Sequence, residues 1–250
     1  MSDAGAGRAP IVDQVVRTIK DEFQDGLLGI LWTGSRAYGE PRLNSDWDFF
    51  VLHQAMWRQR RLIRAGEAAI ELFINPPDQI RREMAAFESA TISMFAMGQV
   101  LYDRDGTTQD LVGAAQRLWR SRPPIWTREA QDAWRYEILD LLEDIEDMLA
   151  DDPDAAGYLM GLAIDSALRG FYQAHQFWQP KGKYLLADLA RRRPELALQC
   201  RTVISGTQAL TARFDALRKL VENIQRPMGG YLDTWETERE PVLPFEEETR

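Results

Sequence analysis

Residues 32–52 read WTGSRAYGEPRLNSDWDFFVL, and the order of residue types in this stretch dictates local structure. Leu27–Trp32 (LLGILW) is a short apolar run that ends at Gly34-Ser35, the pattern of a buried strand running into a tight turn. Gly34 lets backbone approach a ligand closely, and a helix opening at Ser35 presents unpaired N–H groups to an anion. Asp46 and Asp48 stand two residues apart at the start of a second apolar run, DFFVL. Strand alternation points both carboxylates to one face and Trp47 and Phe49 to the other. Two adjacent carboxylates repel unless a cation lies between them, and hard divalent ions with oxygen ligands, Mg²⁺ in particular, suit the pair. Glu71 sits inside a third apolar run, AIELFI over 69–74. An unpaired carboxylate buried there costs several kcal/mol, so pairing or metal binding is expected. If that strand neighbours the Asp46–Asp48 strand, Glu71 completes a three-carboxylate cluster facing a phosphate cradle, the layout for two-metal phosphoryl or nucleotidyl transfer.

Outward from this segment, Ile11, Val12, Val15, Val16, Ile19 and Phe23 recur at helical spacing. Residues 78–98 read as one helix and 100–102 as a last strand before the turn Asp103-Arg104-Asp105-Gly106. The first half is therefore an α/β unit, a mixed sheet with flanking helices. After Gly106 long helical patterns dominate, broken at Pro123-Pro124, Asp151-Asp152-Pro153, Pro180 and Pro194. Trp134, Ile138, Leu141, Leu142, Ile145 and Leu149 make one apolar stripe. Four or five such helices predict an all-α, up-and-down bundle. The expected domains are residues 1–110 and 111–250, the second ending in an acidic tail.

The 250 residues carry a net charge of −9, which speaks against a general nucleic-acid surface. Residues 236–250 hold six of the glutamates against two arginines, so part of this acidity is local. It reads either as a solvated tail or as an acidic surface suited to a cationic small molecule. No apolar run approaches the roughly 18 residues of a membrane helix, and the first ten residues lack the basic-then-apolar signature of a secretion signal. With one cysteine, Cys200, neither a disulfide framework nor a thiolate metal site is available, and a cytoplasmic address is expected.

The pattern Gly34-Ser35, Asp46-x-Asp48 and a third acidic residue on a following strand resembles the nucleotidyltransferase superfamily related to DNA polymerase β. Residues 34–50, GSRAYGEPRLNSDWDFF, look like its minimal and antibiotic-type branch, where GSRARGxxxxxSDxDL is usual; Tyr38 and Phe49 depart from that pattern. The resemblance covers residues 27–105. It implies that Asp46 and Asp48 hold Mg²⁺, that Glu71 binds the metal next to the attacking hydroxyl, and that Gly34 and Ser35 bind the triphosphate. Two Mg²⁺ ions and ATP as the nucleotide are expected. Arg36 either holds a phosphate or pairs with Glu40.

The second half is similar to the helical domain of kanamycin- and lincosamide-type nucleotidyltransferases. Within FWQPKGKYLLADLARRRPEL, Trp178, Pro180, Lys183 and Leu185 fit a W-x-P-x-x-K-x-L pattern. Lys183 either reaches the nucleotide phosphates as a point charge or is a solvated helix-start lysine. In the kanamycin-type relatives a carboxylate of the helical domain deprotonates the acceptor; Asp165, set in the apolar stretch GLAIDSAL, is the candidate, alongside Glu137, Asp140 and Asp144. Arg169 and His175 match the loose R-x(4–6)-H spacing of HEPN-type ribonucleases, but Gly170 stands where those enzymes usually carry a polar residue, and a packed histidine is the simpler reading. His53 reads as structural.

The expected activity is transfer of NMP, AMP foremost, from a nucleoside triphosphate to a hydroxyl of a small molecule such as an aminoglycoside-like antibiotic, with pyrophosphate released. The alternative is an antitoxin-like or regulatory enzyme that modifies a hydroxyl of a partner protein. Neither nucleic acid nor membrane is an expected partner, and the assembly is a monomer or homodimer.

Overall fold

The computed structural model describes residues 10–232, 234–237, 239 and 241. The expected acidic tail lies almost wholly outside them. Two compact units divide at Pro123/Pro124.

The first unit is built around a mixed sheet. Helix α1 (Pro10–Phe23) presents Val12, Val15 and Ile19 inward, all buried, at the spacing the sequence shows. Strand β1 (Leu27–Thr33) leads into a single helical turn, α2 (Gly34–Ala37), and then β2 (Trp47–His53). Strands β3 (Gln59–Ala65) and β4 (Ala68–Asn75) form a hairpin, followed by α3 (Pro77–Ala85), α4 (Ser89–Met97), β5 (Gln99–Asp103) and α5 (Thr107–Arg120). Among the described residues the sheet has five strands in the order β3-β4-β2-β1-β5. Strand β4 inserts between its two predecessors, parallel to β2 and antiparallel to β3.

Alternation sorts the side chains of the sheet into two layers. Phe49, Val51, Ile70, Leu72 and Ile74 pack with the α1 stripe into one core; burying each such side chain contributes roughly 1.5–3 kcal/mol. On the opposite face Phe50 stacks on Phe73 at 5.0 Å and meets Phe95 of α4 at 4.8 Å. Helix α5 buries Leu111, Val112 and Ala115, so the expected boundary at 110/111 falls inside a helix that belongs to the first unit.

Two local readings change. The single helix expected over 78–98 is two, separated at Ala86–Glu88, where Phe87 takes a left-handed conformation with φ 56°. No glycine or proline marks this break; Thr91 Oγ1 donates to Glu83 Oε2 at 2.6 Å and ties the two helices across it. Strand β3 has no counterpart in the sequence reading. Its residues QRRLIRA are polar because it is an edge strand, where charged side chains blunt unwanted pairing.

The second unit is all helical: α6 (Arg128–Asp151), α7 (Pro153–Ala174), α8 (Gly182–Arg192), α9 (Pro194–Ile204) and α10 (Leu210–Gln225). Trp134, Ile138, Leu142 and Ile145 of the α6 stripe are buried, with Leu141 and Leu149 packed at its edge. The break between α6 and α7 is a capped junction, in which Asp152 accepts from Ala155 N at 3.0 Å and Pro153 opens the next helix. The fold class is thus an α/β unit with a mixed sheet followed by helices. Among the described residues no helix is long and apolar enough to cross a membrane.

Candidate functional site

The β2–β4 register places Asp48 directly opposite Glu71. Asp46 precedes β2 by one residue, and one carboxylate oxygen from each of Asp46, Asp48 and Glu71 lies within 4.8 Å of the others. Asp48 is buried. Side chains that alternate along paired strands share a face, so Asp48 and Glu71 stand above the Phe50–Phe73–Phe95 layer and away from the α1 core. All three donors are hard oxygens with the spacing a divalent cation bridges, which fits Mg²⁺.

On the other side of Asp48, β1 pairs Thr33 with it and then turns at Gly34. Gly34 has φ +79°, and a Cβ built on it would overlap the Asp48 carboxylate. Only glycine lets the backbone pass this close to the acidic cluster. Thr33 Oγ1 donates to Met94 O at 2.8 Å. Its one proton being spent there, the 2.5 Å contact with Tyr38 has the phenol as donor. Burial is the main cause that raises the Tyr38 pKa, and the nearby Asp48 charge adds to it; Tyr38 therefore stays a neutral donor that pins the turn. Phe49, the other departure from the family pattern, lies in the α1 core.

Ser35 and Arg36 are both engaged with Ser45. Ser35 Oγ donates to Ser45 Oγ at 3.0 Å, Arg42 N donates to the same oxygen at 2.8 Å, and Arg36 Nε donates to Ser45 O at 2.8 Å. The Arg36 guanidinium also lies over the Trp47 ring, 4.8 Å from its centroid. Ser45 thereby fastens the 38–46 loop to the Gly34 turn. The sequence reading passed over it, although a serine directly before an Asp-x-Asp pair is itself a turn signal.

Arg60 is the second residue the sequence reading missed. It stands on β3 opposite Phe73, one diagonal step from Glu71, and its Nε donates to Glu71 Oε1. That hydrogen bond, above all, holds its pKa above the ordinary arginine value, with the charges of Asp48 and Asp46 adding to it.

Asp165 is on the outer face of α7, with 71% of its side chain exposed and Arg169 at 3.8 Å. Its apolar sequence neighbours Ile164, Ala167 and Leu168 are buried, while the Asp165 carboxylate itself faces solvent. Lys183 is exposed at the start of α8, with Nζ 5.1 Å from the centroid of the Tyr184 ring. His175 Nδ1 donates to Phe171 O at 2.9 Å and packs between Phe171 and Phe177. His53 is buried, and Nε2 donates to Trp57 O at 3.0 Å. Asp188 accepts from Tyr172 Oη at 2.8 Å, Arg191 at 2.9 Å and Arg192 at 2.6 Å. A buried carboxylate with three donors is a structural junction between α7 and α8.

No family model matches the sequence, and no curated protein matches it. Among solved structures, the chain is similar to the crystal structure of a nucleotidyltransferase-like protein from Exiguobacterium sibiricum 255-15, with a TM-score of 0.55 and 13% identity, over 86% of this chain and 74% of that one. The likeness is one of fold.

Proposed function

We propose that the protein is a Mg²⁺-dependent nucleotidyltransferase of the DNA polymerase β-related superfamily, moving AMP from ATP to a hydroxyl of a small molecule, with pyrophosphate released. The observation that carries this reading is the in-register placement of Asp48 beside Glu71, with Asp46 completing the cluster and Gly34 giving backbone access to it. A fold shared with a nucleotidyltransferase-like protein supports it.

Asp46, Asp48 and Glu71 would hold the metal. Bound Mg²⁺ supplies Lewis-acid polarisation of the phosphate and lowers the pKa of the attacking hydroxyl. The chain's own part is orientation. The Gly34 turn and Ser35 receive the phosphates, held in shape by Ser45 and Tyr38. The acceptor oxygen bonds to the α-phosphorus, the α–β anhydride bond breaks with pyrophosphate leaving, and the hydroxyl proton passes to a carboxylate, with Glu71 the candidate in this unit. Acceptor selection is left to the helical unit, because residues 34–71 account only for nucleotide and metal; Lys183, exposed at the start of α8, is either a phosphate contact or a solvated lysine. A net charge of −9 favours a cationic, aminoglycoside-like acceptor. The one cysteine, buried and with its pKa raised by burial to about 12, suits a cytoplasmic address, where thiols stay reduced.

The test is incubation with each α-³²P-labelled nucleoside triphosphate against a panel of hydroxyl-bearing antibiotics, with Mg²⁺ or EDTA. Label should pass from ATP to an acceptor only with Mg²⁺; label transfer that persists in EDTA would sink the reading.

A further inference from the structure

We propose that Arg60 is a built-in counter-ion of the acidic cluster: it holds Glu71 while the metal is absent and opposes metal binding there. The inference rests on the metal-site reading given above and adds a control on it.

One member of the cluster already has a cationic partner. The Arg60 guanidinium donates to Glu71 Oε1, on the same sheet face as the Asp48 carboxylate. A divalent ion placed among Asp46, Asp48 and Glu71 would meet this positive charge and be repelled by it. Release of the arginine is cheap. Its side chain is 70% exposed, against 14% for Glu71, so the guanidinium moves into water without a burial cost while the carboxylate stays in place. In the paired position the Phe73 ring also lies under it, 5.1 Å from the guanidinium carbon, and cation–π attraction helps to hold the arginine beside Glu71. One guanidinium against three carboxylates neutralises the cluster in part. The arrangement favours metal arriving together with a polyanion such as a nucleoside triphosphate, whose charge offsets the guanidinium.

The experiment measures Mn²⁺ binding by the loss of its free EPR signal, on the full-length wild type, Arg60→Gln and Arg60→Lys, with thermal unfolding in EDTA as a second readout. Arg60→Gln should bind Mn²⁺ about fivefold more tightly, the size of one screened contact charge, and its midpoint in EDTA should fall by about 2 °C. Arg60→Lys, which keeps the charge, should stay within about twofold of wild type. Wild-type Mn²⁺ binding with an unchanged or weaker Arg60→Gln would overturn the counter-ion role and leave the metal site standing, as would an Arg60→Lys that behaves like Arg60→Gln. Absence of Mn²⁺ binding in all three proteins would instead overturn the metal site itself, and the proposal with it.

Discussion

Gly34 and Asp48 meet so closely that position 34 cannot carry a side chain: a Cβ there would overlap Asp48 Oδ2, and the backbone is in the left-handed region at φ +79°. The turn after β1 and the first carboxylate of β2 are thus one structural unit, and each fixes where the other can be.

Gly34→Ala should therefore damage site and stability together. Forcing a Cβ into the left-handed conformation costs about 1–3 kcal/mol, and the Asp48 carboxylate has to shift. Displacement of a reacting group by about 1 Å costs on the order of 100-fold in rate. Calorimetry and nucleotide transfer on the purified variant check both. A Gly34→Ala protein with wild-type turnover would show that the close approach has no part in the chemistry.

Asp48→Asn separates chemistry from folding. It removes one of three clustered negative charges, so like-charge repulsion falls and the EDTA midpoint should hold or rise. Transfer, in contrast, should be lost, because the neutral amide removes the carboxylate charge that Mg²⁺ binding uses. Near-normal Mg²⁺-dependent turnover in this variant would make the acidic cluster structural.

How much of this was legible in the sequence varies residue by residue, and the reason is whether the determinant is local. The two-residue period that puts Asp46 and Asp48 on one face is local, and so is the oddity of a glutamate within AIELFI. That Glu71 lies beside Asp48 was only conditional, because it depends on β4 inserting between β2 and β3, a pairing that no local signal specifies. Arg60 was invisible for the same reason: its strand is polar, and only the β3–β4 register brings it to Glu71. The exposure of Asp165 was not legible from its apolar stretch, because sequence adjacency to Ile164 says little about helix faces; at about 100° per residue the next side chain already points elsewhere. The break at Phe87 is held by a side-chain hydrogen bond between Thr91 and Glu83, which leaves no breaker residue to read.

His53 gives the first unit a pH dependence of known sign. The ring is buried beside Phe23 and Trp57, and burial lowers its pKa below the ordinary 6.5, with the Trp57 hydrogen bond acting the other way. The unfolded chain then takes up this proton at higher pH than the folded one. Stability is full above about pH 6.5 and falls as the pH drops toward the lowered value. His53→Phe should flatten the part of the midpoint change between pH 7.5 and 5.5 that wild type shows. Equal pH slopes for the two proteins would remove His53 from the account.

Gly170 provides the corresponding test in the helical unit. In an open helix Gly→Ala stabilises by about 0.8–1 kcal/mol, so most glycines within helices invite the change. At Gly170 the space is taken: a Cβ would overlap the Trp134 ring of α6. That ring is itself fixed, with Nε1 donating to Ser166 O at 3.1 Å, one turn before Gly170 on the same helix. Overpacking of this kind costs about 1–3 kcal/mol, enough to reverse the propensity gain, and Gly170→Ala should lower the unfolding midpoint. The same contact explains why glycine follows Arg169, where a ribonuclease of the HEPN type would carry a polar residue. Trp134→Leu should itself destabilise through the lost packing, yet Gly170→Ala added to it should cost less than Gly170→Ala in wild type, because the obstructing ring is gone. If the two substitutions instead add, or if Gly170→Ala alone raises the midpoint, the α6–α7 contact is looser than a ring seated on a glycine, and the helical unit owes its stability to other contacts.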